Sequence, residues 1–225
     1  MKKHFRIIAV LLASVMVMAL MLSGCGKKEP TDEDAKKYVD SVVKLLCTGE
    51  YDKSIKFSDI EEGKETEARD AIIEEMLNQA ASEYELSDEI KDQFREFIIN
   101  ALAKCKYTVT DAVKTDDNGK VGYDVTVSVE PLKIFNGAEE AMSNVMVDLM
   151  SDTSVLSMSE EEVTNLVFSK IFDVLNGNLE NPEYGPAEDV IVHYGLMDEE
   201  NNLYGLSEED GQKLGEKLFS AEGLE

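Results

Sequence analysis

The stretch Lys106-Tyr107-Thr108-Val109-Thr110-Asp111-Ala112-Val113-Lys114-Thr115-Asp116-Asp117-Asn118-Gly119-Lys120-Val121-Gly122-Tyr123-Asp124-Val125-Thr126-Val127-Ser128-Val129-Glu130-Pro131 decides the fold. Tyr107, Val109 and Val113 alternate with Thr108, Thr110 and Ala112, and Val121, Tyr123, Val125, Val127 and Val129 alternate with Asp124, Thr126, Ser128 and Glu130. A period of two places one set of side chains on each face of a strand. The alternation of apolar with polar residues predicts an antiparallel hairpin with one buried face, turning at Asn118-Gly119. Pro131, which has no backbone donor, ends the second strand.

On either side of the hairpin the apolar period is helical. Thr31 with Asp34 marks a helix start, after which Ala35, Tyr38, Val39, Val42 and Leu46 share a face that runs to Gly49. Residues 50–64 read as irregular. A second helix is predicted from about Glu65 to Tyr84, with Ile73, Met76, Leu77, Ala80 and Tyr84 inward. Ser87 caps a third, whose stripe is Ile90, Phe94, Phe97, Ile98, Ala101, Leu102 and Cys105. After Pro131, Ala138, Ala141, Met142, Val145, Met146 and Leu149 form one face of a fourth helix. Ser159 and Glu162 make a capping box for a fifth. Val163, Val167, Phe168, Ile171, Phe172, Leu175 and Leu179 cover most of that helix's circumference, so it is expected to be the central one. Val190, Val192 and Tyr194 read as a strand, with Leu203–Leu206 pairing back across Asn201-Asn202. Ser207 with Asp210 starts a last helix through Phe219. The fold class is therefore α+β: several amphipathic helices packed on an antiparallel sheet built around the hairpin at about 106–130. Residues 31–225 are read as a single domain, with a division into subdomains 31–130 and 131–225 left open.

The N-terminus carries an address. Lys2, Lys3 and Arg6 precede an apolar run from Ile7 to Leu22, the order of a secretory signal. The run falls short of the roughly 20 residues a membrane-spanning helix needs. The stretch Leu22-Ser23-Gly24-Cys25 resembles the lipobox of bacterial lipoprotein precursors. That resemblance implies a signal peptide over 1–24 and a lipid on Cys25, the first residue of the mature chain. Residues 25–30 are then a lipidated tether spanning roughly 20 Å at most. Two acyl chains hold durably where one holds only marginally. Lys27 and Lys28 fall where anionic headgroups attract them. The expected location is the outer leaflet of the cell membrane, facing outward.

The whole chain of 225 residues carries a formal charge of −25. Removing residues 1–24 leaves 201 residues with 19 Lys and Arg against 47 Asp and Glu, a charge of −28. So acidic a surface disfavours nucleic acid, whose binding rests on cationic contacts to phosphate. The acids are interleaved with apolar residues at helical spacing, which describes a folded, solvated surface. Beyond Cys25, Cys47 and Cys105 remain. An exported pair can form a disulfide, and equally each lies on or beside an apolar helix face where a thiol is an ordinary core group.

Catalytic constellations are hard to find. Of two histidines, His4 belongs to the leader and His193 to a strand pattern, so no multi-histidine metal site can form. The sequence holds no Gly-x-Ser-x-Gly, Cys-x-x-Cys, Gly-x-Gly-x-x-Gly or P-loop. If Gly119 stood sixth in a calcium loop, the first and twelfth ligands would be Lys114 and Val125. With Gly205 sixth, the first and fifth are Glu200 and Tyr204, and both frames fail. An irregular calcium site stays open. Glu74-Glu75 and Glu160-Glu161-Glu162 are read as acids at helix starts, without any acid–base role. Met142, Met146 and Met150 recur every fourth residue. They read as core packing or, alternatively, as a pliable surface for an apolar ligand or partner helix.

Tyr38-Val39-Asp40 through Gly49-Glu50-Tyr51-Asp52, with Lys106-Tyr107-Thr108-Val109 through Val125-Thr126-Val127-Ser128-Val129-Glu130-Pro131, resembles uncharacterised lipoproteins of Gram-positive bacteria. The arrangement is also similar to cystatin-like and nuclear-transport-factor-like α+β folds. Neither resemblance supplies catalytic residues or a cofactor. The expected function is a membrane-anchored, non-enzymatic module binding an unknown protein or small-molecule ligand. The alternatives are an extracytoplasmic hydrolase using scattered carboxylates and a structural cell-envelope protein. Two convergent acids of raised pKa in a deep pocket would point to the hydrolase, and an apolar surface near Met142–Met150 to binding.

Overall fold

The structure is a computed structural model that describes residues 29–57, 60–84, 86–116 and 119–220. At 24–25, 76 and 79–84 it describes the backbone alone. The basic and apolar parts of the leader, Lys27 and Lys28, the side chains of Met76, Ala80 and Tyr84, and Asn118 of the turn lie outside the described residues.

The chain runs β1 (Gly24–Cys25), α1 (Asp32–Thr48), α2 (Glu65–Tyr84), α3 (Asp88–Leu102), β2 (Lys106–Asp116), β3 (Val121–Glu130), α4 (Ala138–Ser151), a 3-10 turn (Val155–Ser157), α5 (Glu160–Glu180), β4 (Glu188–Asp198), β5 (Leu203–Leu206) and α6 (Glu208–Leu218). The α+β expectation is met: six helices accompany an antiparallel sheet of order β1-β5-β4-β3-β2, with α1 and α6 lying directly on it and the others packed on one another. Helix starts follow the caps read from the sequence. Thr31 accepts from the Asp34 backbone while Asp34 accepts from that of Thr31, and Ser159 and Glu162 do the same. Ser87 and Ser207 accept from Ile90 and Asp210. Helix α1 ends where Gly49 turns left-handed at φ 73° and its N–H donates to the Leu45 carbonyl.

Helix α1 is the central helix. Ala35, Val39, Val42, Val43, Leu45 and Leu46 have no exposed surface, and the helix touches β2, β3, α2 and α3. The Tyr107 hydroxyl on β2 pins it, donating to the Asp40 carbonyl and carboxylate at 3.2 Å each. The expectation for α5 is corrected. Its second half buries Phe168, Ile171, Phe172, Leu175 and Leu179, but Val163 and Val167 are only half-buried. α5 is apolar on two sides because it lies between α3 and α4, and neither of those sides is the sheet.

The hairpin forms as predicted on β3, whose five alternate apolar residues are all buried. On β2 one expectation fails: Val113 is 57% exposed, while Ala112 is half-buried. The register with β3 slips between Val109 and Asp111, so Thr110 is an extra residue. A bulge of one residue reverses the parity of everything after it. Among the described residues no helix covers the opposite sheet face, which carries Asp124, Thr126, Ser128, Ile191 and His193, half-buried or exposed. Beyond β3, Leu132 joins both Tyr184 and Phe219, tying the end of the hairpin to the α5–β4 link and the C-terminal segment. Helix α6 packs on β4, and Lys213 Nζ donates to the Ile191 carbonyl at 2.7 Å, where β5 is too short to pair.

Candidate functional site

The one histidine of the domain sits on the open sheet face. Asp124 and His193 are direct cross-strand neighbours on β3 and β4, with Asp124 Oδ1 2.9 Å from His193 Nδ1. Sequence reading placed His193 in its strand without finding this partner. The available signal was that both residues occupy outward positions of their strands. Beside His193 opens a cavity of about 620 Å³, also lined by Lys120, Gly195, Leu196, Met197, Glu199 and Ser207. Aspartate, histidine and serine around a cavity invite comparison with a nucleophilic triad, in which the hydroxyl gives its proton to the imidazole. Ser207 is committed otherwise. Its hydroxyl donates to Asp210 Oδ2 at 2.5 Å and accepts from the Asp210 N–H at 3.2 Å, which is the work of a helix cap. Lys120 is also engaged, 2.6 Å from Glu199. The polar groups lining this cavity therefore brace strand ends and a helix start.

The carboxylates behave in the same way. The pKa of Glu65 is held down to about 2 by the Lys53 ammonium, aided by its own backbone N–H and that of Gly63. Asp52, Asp88, Asp152, Glu162, Asp198 and Glu199 are all shifted downward by hydrogen bonds from neighbouring donors. Each resolved shift stabilises the charged form, opposite to what a proton-donating acid needs. Among the described residues, no three metal-ligating side chains come together. Cys47 is a buried free thiol and Cys105 a half-buried one packed against the core, and interaction with the Cys47 thiol together with burial pushes Cys105 well above its ordinary range.

A different feature lies at the corner between α4 and α5. Of the three spaced methionines, Met142 is buried, Met146 half-buried and Met150 83% exposed. Val147 is 61% exposed, Leu156 86%, and Met158 is exposed as well. Tight turns hold the connection: the Asp152 N–H reaches the Asp148 carbonyl, Val155 reaches Asp152, and Met158 reaches Val155. The exposed apolar residues thus fall together in the C-terminal end of α4 and the tight turns that follow it. An exposed cluster of this kind marks a contact surface, whereas single exposed apolar residues need no explanation. The methionine stripe accordingly divides along its length, packing into the core at Met142 and facing solvent at Met150.

The corner is rimmed by acids. Asp148, Asp152, Glu160, Glu161 and Glu162 are exposed, and no Lys or Arg occurs between Lys133 and Lys170. The cations of the flanking helices are already paired, Lys91 with Asp88, Arg95 with Glu74 and Lys170 with Asp173. Asp152 and Glu162 are kept ionised by hydrogen bonds from Ser154 and Ser159.

Cys25 lies at an edge of the sheet. Its backbone pairs with Leu203, and that of Gly24 with Tyr204, on the free edge of β5. The following segment is tied down where the Tyr123 hydroxyl donates to the Pro30 carbonyl at 3.0 Å.

No family model matches the sequence, and no curated protein matches it. Among solved structures the chain is similar to the "putative lipoprotein (ycdA)" of Bacillus subtilis, with a TM-score of 0.53 and 18% identity. The similarity covers 84% of this chain and 58% of that one, so this chain spans less than two thirds of its neighbour's length. At that identity the likeness is one of fold, and it bears out the resemblance to Gram-positive lipoproteins at that level.

Proposed function

We propose that the chain is an extracytoplasmic lipoprotein, held at the outer leaflet through lipid on Cys25, whose domain binds a partner at the α4–α5 corner. The lipobox order before Cys25 supports the anchor, and the name of the Bacillus subtilis neighbour agrees with it. No helix among the described residues is long and apolar enough to cross a membrane. Lipid on Cys25 would supply a hydrophobic hold that outlasts removal of the leader.

The observation that carries the binding half is the exposure of Val147, Met150, Leu156 and Met158 together. Leaving four large apolar side chains in water forfeits roughly 25 cal/mol for every Å² a partner could cover. Glu65 and Glu199 are held charged by neighbouring lysines and the cavity serine is a cap, so these groups support scaffold roles. Intact-mass spectrometry of the protein extracted from its own membranes tests the anchor. The expected chain begins at Cys25 and carries diacylglyceryl, and Cys25→Ser abolishes lipid labelling. An unmodified Cys25, or a mature chain beginning elsewhere, refutes the anchor.

A further inference from the structure

We propose that the α4–α5 corner receives a cationic amphipathic helix, a peptide or protein segment with an apolar stripe flanked by Lys and Arg. The inference rests on the binding reading above and adds the chemistry of the partner. Met146, Val147 and Met150 lie three and four residues apart and form a stripe along α4, the pattern into which a second helix packs its own stripe. Methionine suits such a surface because its unbranched, polarizable side chain adapts to differently shaped partners. Leu156 and Met158 are exposed in the turns that follow the C-terminal end of α4.

Charge selects among occupants. Residues 134–169 contain seven acids, Glu139, Glu140, Asp148, Asp152, Glu160, Glu161 and Glu162, and not one Lys or Arg. An anionic bilayer is repelled by this rim, and so is nucleic acid. A second copy of the chain would set acid against acid across the contact, a juxtaposition that costs several kcal/mol. A neutral apolar helix would cover the methionines and leave the rim unanswered. A helix carrying cations beside its apolar stripe satisfies both features.

The probe is a synthetic 18-residue Leu/Lys amphipathic helix, titrated by fluorescence anisotropy against the lipidated protein in zwitterionic nanodiscs, with empty nanodiscs as reference. Wild type is expected to bind saturably and more weakly as salt rises. Met150→Ser combined with Leu156→Ser should weaken binding roughly tenfold to a hundredfold, since truncation at the centre of a contact is costly. Glu160→Gln with Glu161→Gln should weaken it less and flatten the salt dependence. Val113→Ser, exposed on the open sheet face, should change nothing. All three variants alter exposed side chains, and unchanged thermal melts confirm their folding.

If the Leu/Lys helix binds the double serine variant as tightly as wild type, the proposal is overturned. If a Leu/Ser helix of the same stripe binds equally well and still depends on Met150 and Leu156, the corner remains a binding surface and the cationic partner is wrong. If neither helix binds and the serine variants change nothing, the binding reading itself falls. The mass measurement of Cys25 is independent of all these outcomes.

Discussion

Phe172→Ala tests the packing on which the corner depends. Phe172 is 1% exposed, and its ring centroid lies 5.0 Å from Phe94, 5.7 Å from Phe97 and 6.3 Å from Phe168. The residue therefore joins α5 to α3 within one aromatic cluster. Truncation removes its transfer free energy, about 1.5–3 kcal/mol, and leaves a cavity that rigid aromatic neighbours fill poorly. Phe→Ala in a core costs about 3–5 kcal/mol, and the three ring contacts place this site near the middle, about 4 kcal/mol. In a domain of this size each kcal/mol lowers Tm by about 2–4 °C, so a fall of roughly 8–16 °C is expected. Urea unfolding followed by circular dichroism gives the free energy, and the m-value should hold if the denatured state is unchanged. Hydrogen exchange should show α4 and α5 losing protection while β3 and β4 keep theirs, because α4 rests mainly on α5. Leu156→Ala, at an exposed position, should stay within about 0.5 kcal/mol. A loss below about 1.5 kcal/mol at Phe172, or an equal loss at Leu156, would refute the placement of α5 between α3 and α4.

Two further outcomes concern titratable groups. Glu65 has a folded pKa of about 2, below the roughly 4.3 of an unfolded glutamate, so its contribution is complete above about pH 4.3 and is lost as pH falls toward 2. The Tm gap between wild type and Glu65→Gln should accordingly be full at pH 6 and shrink through that window; a gap that widens on acidification would contradict the sign. Cys47 is buried, Cys105 is half-buried against the core, and interaction with the Cys47 thiol together with burial raises the Cys105 thiol, so iodoacetamide should label the native protein at a small fraction of the rate for the protein in urea. Mass spectra showing both thiols labelled equally fast before and after unfolding would place them at the surface.

Much of the fold was legible because its signals are local. The caps at Thr31, Ser87, Ser159 and Ser207 depend on side chains three residues apart, and the change of period at Lys106 depends on neighbours two to four apart. What failed depends on pairing. Val113 keeps a perfect alternation with Val109 in the sequence, and only the partner strand reveals that Thr110 is an unpaired extra residue. The apolar circumference of α5 says that two partners touch it, but not that both are helices. The Asp124–His193 pair needed the register between β3 and β4, whose connection runs through α4 and α5. The corner was half legible. A methionine every fourth residue fixes a face, but burial at Met142 and exposure at Met150 depend on where the neighbouring helix stops covering it.

The position of the anchor relative to the corner gives the arrangement its functional sense. The backbone of Cys25 lies on the edge of β5, so lipid on that residue would hold the domain by the edge of its sheet. From the sheet, the principal contacts pass to α1, from α1 to α3, from α3 to α5, and from α5 to α4. At about 8–10 Å between packed layers, that path is at most roughly 40 Å long. Counted along these contacts, the corner is the most steps removed from the sheet edge on which Cys25 lies. Screening at physiological salt acts over about 8 Å, so a corner several layers away feels little of the headgroup field. With lipid on Cys25 holding the sheet edge at the membrane, the acids of the corner would remain free to attract cations from the medium. A lipid-anchored binder needs this separation, because a contact surface placed beside its own anchor would compete with the bilayer for every cationic amphipathic segment that approached.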